Sequence, residues 1–599
     1  MTIPERIAAL RAAMQQHHLD AYYVGSADPH QSEYVAEHWQ SRQWLSGFDG
    51  SAGTLIVTAT AAKLWTDSRY FIQAERQLAG TGIDLMKLKV PHTPEYLEWL
   101  QDQLSSGQTL GMDGRVVSVA TANRIEKAMQ DCDVSCNLDH DLLNDIWTDR
   151  PALPATQPFA HDPAYVGSSR TEKLDRMRAF LRQKGLAHYL VIGLDEIAWL
   201  LNIRATDVEF NPLCLSYLLL RPQGGIWFVN PKRLSPQLKE SIKSCGISLA
   251  DYQDITPELL RIAATNDPLG MDTRLASVSI YYAAGGAQVI KEKSPIALWK
   301  ALKNQREIDH YHQAMARDGV ALLKLRRWLA ESGAAARVSE VDISERLQAL
   351  RAEQTHYQGD SFPAIVGYRG NGAIVHYRAQ PETCASIAPD GLLLLDSGGQ
   401  YLDGTTDITR TFALGKPTEA EKHHFTLVLK GMIDLSMAQF PAGTTGVQLD
   451  VLARQHLWSE QLNYGHGTGH GVGYFLNVHE GPMSLSPNPN AAGPRVALQP
   501  GMVLSNEPGY YRTGEYGIRI ENLVVVVKKA PGWLGFDTLT VFPIERELIA
   551  IDLLSPAQIA WINAYHEHVL ASINPLLDDP AERTWLLEAC REIKLGSND

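Results

Sequence analysis

The 599-residue sequence predicts a multidomain protein of mixed α/β and α+β class. Three observations point there. At 45% hydrophobic, the chain carries more apolar material than one core normally serves, so about three or four domains are expected. A helix, turn and strand pattern occurs twice: RIAALRAAMQQHHLDAYYVGSADP from Arg6 is similar to KLDRMRAFLRQKGLAHYLVIGLDE from Lys173. Beyond residue 300, helical patterns alternate with apolar strands bounded by glycine.

Taken in order, the first copy of the repeat fills an expected domain over 1–150 and the second an expected domain over 151–300. Each opens with apolar residues at spacings of three and four, the mark of an amphipathic helix, followed by an apolar strand. Between them RPALPATQPFAHDPA, residues 150–164, holds Pro151, Pro154, Pro158 and Pro163 and reads as a linker that interrupts any regular element. Ser294 before Pro295 marks a helix start, and one long helix is expected from there to about Leu329. The third domain is expected over 301–599, closing in a helical extension from about 545 that includes SPAQIAWINAYHEHVL.

Composition narrows the function. The chain has 54 basic and 68 acidic residues, a net charge of -14, so no nucleic-acid footprint is present. Six scattered cysteines, with one C-x-x-x-C pair at Cys132 and Cys136, complete no zinc site and fit a reducing compartment. The N-terminal stretch lacks an apolar leader and no run approaches the length of a membrane span. A cytoplasmic protein without membrane or nucleic-acid partners is expected. GFDGSAG is no nucleophile elbow, because Asp49 replaces the first glycine of G-x-S-x-G, which disfavours a serine hydrolase.

The stretch YGHGTGHGVGYF, residues 464–475, fits neither of two familiar motifs. Its glycines miss the G-x-G-x-x-G spacing of a dinucleotide loop, and Gly467 and Gly469 oppose the helix that an H-E-x-x-H zinc site requires. Read as an extended chain, His466, Thr468, His470 and Val472 share one face, with the imidazoles of His466 and His470 roughly 13 Å apart. A glycine-rich turn with solvated histidines fits this stretch as well as a site does.

Acidic residues decide between them. GLLLLDSGGQYLDGTTDITRTF, residues 391–412, reads as an apolar strand ending in Asp396, a turn, and a second strand opened by Asp407. GMVLSNEPGYYRTGEYGIRIENLVVVV, from Gly501, repeats the plan with Glu507, a Pro508-Gly509 turn, and Glu521 inside another strand. Each acid alone suits a turn or strand end. Two hairpins of the same design, however, would face four carboxylates across one cleft, where they cannot all stay ionised without a compensating cation. With His470 as nitrogen donor, the set Asp396, Asp407, His470, Glu507 and Glu521 suits two divalent ions roughly 3.5 Å apart. Hard oxygen donors favour manganese, with cobalt, iron or zinc as other occupants, and a water shared by the two ions would attack a carbonyl near neutral pH.

These motifs, together with HYR at His376, NVHEGP, NEPGYY and IRIEN, closely resemble the M24 metallopeptidases with the pita-bread fold. Within that family the chain is similar to the long, three-domain cytosolic aminopeptidase P branch. HQSEYVAEHWQSRQWLSGFDGSAGT and LWTDSRYFIQA match its N-terminal domain and WINAYHEHVL its C-terminal extension. The resemblance implies two creatinase-N-like α/β domains, a pita-bread catalytic domain with a helical extension, and a homodimer. It also implies hydrolysis of the bond before a proline in second position, by a hydroxide bridging the two metals. The same resemblance makes Asp396, Asp407, His470, Glu507 and Glu521 the metal ligands and Glu507 the general base. His376, His466 and His479 would orient substrate, hydrogen-bond its carbonyl and stabilise the oxyanion, and the glycines beside His466 would let substrate backbone pass close above the metals.

Arg519, two residues before Glu521, would face the same cleft if both lie on one strand. It is expected to steer the peptide or hold a ligand carboxylate, with Tyr511 and Thr409 as further hydrogen-bonding candidates. Among relatives of the same architecture, prolidase cuts only dipeptides and usually lacks the middle domain. Methionine aminopeptidase and creatinase differ in the outer histidine pattern. A pita-bread protein that grips peptides without chemistry would have lost ligands that this sequence keeps.

Overall fold

A computed structural model describes residues 1–89, 93–332 and 338–594, so residues 333–337 and 595–599 of the expected third domain lie outside the described residues. The chain divides into two compact units, 1–162 with 168–296, and 163–167 with 297–599.

The first unit holds two six-stranded sheets with the same strand order. In the first sheet Ala21–Val24 pairs antiparallel with Thr54–Thr58 and parallel with Thr109–Met112. In the second, His188–Val191 pairs antiparallel with Tyr217–Leu220 and parallel with Leu269–Met271. A parallel neighbour extends each end in both copies. The repeat legible as helix, turn and strand therefore spans the whole of both sheets. The helix before each central strand is capped alike, by Thr2 with Glu5 over Ile3–Gln16 and by Ser169 with Glu172 over Arg170–Lys184. Each buries a stripe at helical spacing, Ile7, Leu10 and Met14 in one and Leu174, Met177 and Leu181 in the other.

The proline-rich segment is tied down more than a linker requires. Phe159–Ala160 pairs with Ile203–Arg204, and the Arg233 guanidinium donates to the Thr156 carbonyl at 2.6 Å and to the Asp207 carboxylate. The expected single helix after Pro295 is two, Ile296–Ala301 and Gln305–Ser332. Asn304 breaks it by capping the second: its side chain accepts from the Glu307 amide, and Glu307 accepts from the Asn304 amide in return.

In the second unit, Leu392–Ser397 lies antiparallel between Ile365–Tyr368 and Ile408–Ala413. Leu392 to Leu395 are all buried, as befits a strand covered on both faces, where alternation gives way to a continuous apolar run. A second sheet pairs Val503–Asn506 with Asn522–Ala530 and the latter with Trp533–Thr538. Helices Glu419–Ser436 and Gly446–Trp458 pack on one another, and helices Pro556–Ile573 and Pro580–Ala589 make up the expected helical tail. Among the described residues no helix is long and apolar enough to cross a membrane.

Candidate metal centre

The two acidic hairpins converge. Asp396 sits opposite Thr409 in the first, with Asp407 immediately before the strand Ile408–Ala413. The expected glycine turn after Asp396 is instead a continuation of the hairpin, in which Gly399–Tyr401 pairs with Gly404–Thr405 and the chain reverses at Leu402-Asp403. A Cβ on Gly398 would lie 1.9 Å from the Thr406 carbonyl oxygen, so only glycine fits there. In the second hairpin Asn506 pairs with Asn522, which places Glu507 and Glu521 side by side just beyond the paired ends.

Two further expectations need correction here. Glu521 does not lie inside a strand but in the break between Tyr516–Arg519 and Asn522–Ala530, where its amide donates to the Thr409 carbonyl at 3.1 Å. That bond pulls the chain out of one sheet and joins the two acidic hairpins. Pro508-Gly509 is not the turn either, because Gly509–Arg512 continues as a strand paired with Tyr516–Arg519.

Across the junction the Thr409 hydroxyl donates to Glu521 Oε2 at 2.9 Å. His470 Nε2 lies 3.4 Å from Asp407 Oδ2 and 3.6 Å from Glu507 Oε1. Asp407, His470 and Glu521 each offer a ligand atom within 4.8 Å of the others. Ser505, which the sequence reading passes over, links two of the set: its hydroxyl accepts from the His470 amide at 2.9 Å and donates to Glu507 Oε1 at 3.2 Å. Its place two residues before Glu507 on a strand is the signal that could have found it.

The histidine stretch is not the extended face expected of it. Only Gly469–His470 forms a strand, against Ser484–Leu485, and the chain before it bends. The two imidazoles therefore part. His470 Nδ1 bonds the Gly471 carbonyl at 2.9 Å, which leaves Nε2 for the acids, whereas His466 Nε2 meets the Tyr511 hydroxyl at 2.7 Å. Two glycines of the stretch, Gly469 and Gly471, are required by the packing of the fold itself. A Cβ on Gly469 would lie 2.0 Å from the Ser505 carbonyl oxygen and one on Gly471 2.1 Å from that of Glu480. His479 packs its ring 4.3 Å from that of His470, nearly perpendicular to it. His376 is half-buried and follows Val375, whose carbonyl accepts from Arg519 at 3.3 Å.

Arg519 lies on a strand that ends before Glu521, so the shared-face argument fails, yet its side chain enters the centre. It donates to Asp396 Oδ2 at 2.6 Å and to the Tyr511 hydroxyl at 2.7 Å. It is a clamp on a candidate ligand, and Tyr511 bridges it to His466.

The electrostatics match the geometry. Burial, opposed by Arg519 and reinforced by Asp407 and Glu507, pushes the Asp396 carboxyl up to about 6. Burial with Asp407, Asp396 and Glu507 nearby holds Glu521 well above the usual carboxylate range. Burial also raises Glu507, though His470 and Arg519 oppose it. Burial alone would lower His470, but Asp407 and Glu507 lift it to about 9. Asp396 Oδ1 and Glu521 Oε1 are buried oxygens without a hydrogen-bond partner. Asp396, Glu507 and Glu521, crowded enough to resist ionisation, together with Asp407, His470 and the two unpartnered oxygens form a donor set that divalent cations fit.

The same chain matches known proteins throughout. Residues 309–528 match the model of metallopeptidase family M24, and 532–593 that of the C-terminal region of peptidase M24. Residues 6–140 and 149–307 match two models of the creatinase/prolidase N-terminal domain. A probable Xaa-Pro aminopeptidase P of Talaromyces marneffei is 39% identical over 611 residues, covering 98% of this chain and 92% of that one. The chain belongs to metallopeptidase family M24. A relative of the same description from Aspergillus niger is 39% identical over 97% of both chains. The crystal structure of X-prolyl aminopeptidase from Caenorhabditis elegans, described as a cytosolic enzyme with a di-nuclear active site, superposes with a TM-score of 0.94 at 32% identity. It covers 99% of this M24 peptidase and 100% of its own chain. An Xaa-Pro dipeptidase from Bacillus anthracis shares the fold over only 63% of this chain, with a TM-score of 0.51 at 24% identity. Two creatinase-type N-terminal regions ahead of an M24 region are thus the architecture that the sequence predicts.

Proposed function

We propose that this M24 peptidase removes the N-terminal residue from peptides with proline in the second position. The observation that carries the proposal is the convergence of Asp396, Asp407, Glu507, Glu521 and His470 around two orphaned carboxylate oxygens. Full-length likeness to proteins described as Xaa-Pro aminopeptidases supplies the substrate class. The five residues would hold two divalent ions, manganese being the best match to hard oxygen donors. When bound, such a pair supplies Lewis-acid polarisation of a carbonyl and a water acidic enough to act as nucleophile at neutral pH.

The chain's own groups do the rest. Glu507 has its carboxylate raised by burial and steadied by Ser505, so it can accept a proton and hand it on as general base. His470 is fixed by its bond to the Gly471 carbonyl, with Nε2 aimed at the acids. His466, held through Tyr511 to Arg519, is the group on the substrate side, with His376 and His479 beside the centre to receive the carbonyl oxygen. A proline in the second position brings a tertiary amide without an N–H, so a site that accepts it would rely on groups that meet the carbonyl, as His376, His466 and His479 would, and not on that donor.

The test is elemental analysis for bound metal together with turnover of an Xaa-Pro-Pro peptide and of an Xaa-Pro dipeptide. Two metals per chain and release of the first residue from the longer peptide are expected. Cleavage of the dipeptide alone would make the protein a prolidase. Metal-free protein that binds peptide without cutting it would make it a pita-bread binding protein. A homodimer and a cytoplasmic location belong to the same proposal, checked by light scattering and by fractionation.

A further inference from the structure

The loop that carries His466 and His470 has three glycines in five residues, Gly465, Gly467 and Gly469, and makes regular pairing only at its end. Glycine loses more backbone freedom on folding than any other residue, so such a loop needs outside restraint to hold two imidazoles in place. Beside the bonds of His466 to Tyr511 and of the His470 amide to Ser505, one helix supplies a restraint on the backbone before Thr468. On Gly446–Trp458, Asp450 and Arg454 are four residues apart, both almost fully buried, and bonded to each other at 2.6 Å. Arg454 donates to the carbonyl of Tyr464 at 2.8 Å and to that of His466 at 2.7 Å, and its guanidinium lies 3.8 Å from the centre of the Tyr464 ring. Asp450 accepts from the Thr468 hydroxyl, which also bonds the Tyr464 hydroxyl.

Residues 464, 466 and 468 are alternate positions, the ones a neighbouring strand would pair if the loop were in a sheet. Thr468 finds backbone partners, its amide donating to the Leu485 carbonyl at 2.8 Å, while the fork of Arg454 takes the carbonyls of Tyr464 and His466. Two parallel donors fix both distance and direction, which a lysine cannot do. From Thr468 the chain runs directly into His470, and the Thr468 carbonyl accepts from the Glu507 amide at 2.9 Å. The clamp therefore reaches a candidate ligand on both sides.

We propose that Arg454 and Asp450 are positioning residues of the metal centre, setting His466 and His470 through the backbone of the glycine-rich loop. This inference rests on the metal-site reading above. Full-length protein, its Arg454→Lys variant and its Thr468→Val variant are compared by calorimetric titration of the metal-free form with manganese(II) alone. Thermal melting and kcat at saturating manganese and peptide are measured alongside. Both variants are expected to melt well above the assay temperature, to bind manganese about tenfold more weakly, and to lose about 10- to 100-fold in kcat, the range seen when groups behind metal ligands are changed. If Arg454→Lys does not fold, Thr468→Val decides alone. Manganese affinity and kcat within about twofold of the parent, with only the melting temperature lowered, would reduce the pair to a structural role and overturn the inference. A parent that binds no manganese would instead remove the metal-site reading itself.

Discussion

Arg519 and Asp396 are 123 residues apart in sequence and meet at 2.6 Å, both buried, inside a ring of carboxylates. The ion pair is one-sided: Asp396 Oδ2 takes the guanidinium while Oδ1 has no partner. Removing the guanidinium leaves crowded carboxylates charged in a poor solvent, whereas neutralising Asp396 leaves Arg519 still facing Glu507 and bonded to the Tyr511 hydroxyl.

Replacing Arg519 with methionine is therefore expected to destabilise the metal-free protein by about 3–5 kcal/mol, read from urea unfolding midpoints. Arg519→Lys should recover only part of that, because it restores the charge but not the fork that spans Asp396 and Tyr511. Equal stability of all three proteins would show that the carboxylates are neutralised by something else.

The raised Asp396 carboxyl sets a pH dependence. Its folded value of about 6 lies above its ordinary value of 3.8, so the fold favours the protonated form. That contribution is complete below pH 4 and is lost as pH rises through about 6. Asp396→Asn, a mimic of the protonated acid, should melt with the metal-free parent near pH 4 and above it near pH 7. Added manganese should reverse the order at neutral pH, since only the parent keeps the ligand. Melting curves across this range, with and without metal, check both halves.

Metal binding should stabilise the fold in proportion to occupancy. With free manganese at about 100 times its dissociation constant, about 2.7 kcal/mol is expected, and a chelator should remove it. Glu521→Gln should shrink this increment while raising the stability of the metal-free form wherever pH forces the acid to ionise, because burial and three neighbouring carboxylates disfavour its charged form.

The Tyr511 hydroxyl joins His466 to Arg519, and burial lifts its pKa to about 12, so at neutral pH it stays protonated. Tyr511→Phe removes that link and nothing else of similar size. Stability should fall by about 1 kcal/mol, and kcat by about tenfold through the loosened imidazole. A kcat unchanged by the substitution would separate His466 from the reaction.

Much of the centre is legible in the sequence because strand ends are legible. Asp396 and Glu507 each stand at the end of an apolar run long enough to be a buried strand, and a hairpin that runs on past them must return, which brings Asp407 and Glu521 back beside them. The first unit is legible for a similar reason, since a helix stripe and an apolar strand recur in order. What the sequence hides depends on long-range backbone bonds. Nothing local signals that Glu521 steps out of a strand to bond Thr409, or that His466 and His470 part company at a bend. The helix Gln305–Ser332 begins late because Asn304 caps it, a signal that the stronger Ser-Pro start masks. Arg454, Asp450 and Ser505 sit in ordinary helix and strand patterns and gain their meaning only from what lies opposite.

The paired sheets of the first unit agree down to single atoms. A Cβ on Gly111 would strike Leu19 Cδ1 at 2.5 Å and Tyr22, and one on Gly270 would strike Leu186 Cδ1 at 2.8 Å and Tyr189, at the same place in each sheet. The same packing solution thus occurs twice within a single polypeptide. Any tolerance that one copy shows to mutation can be compared with its twin under identical conditions, an internal standard that few enzymes carry.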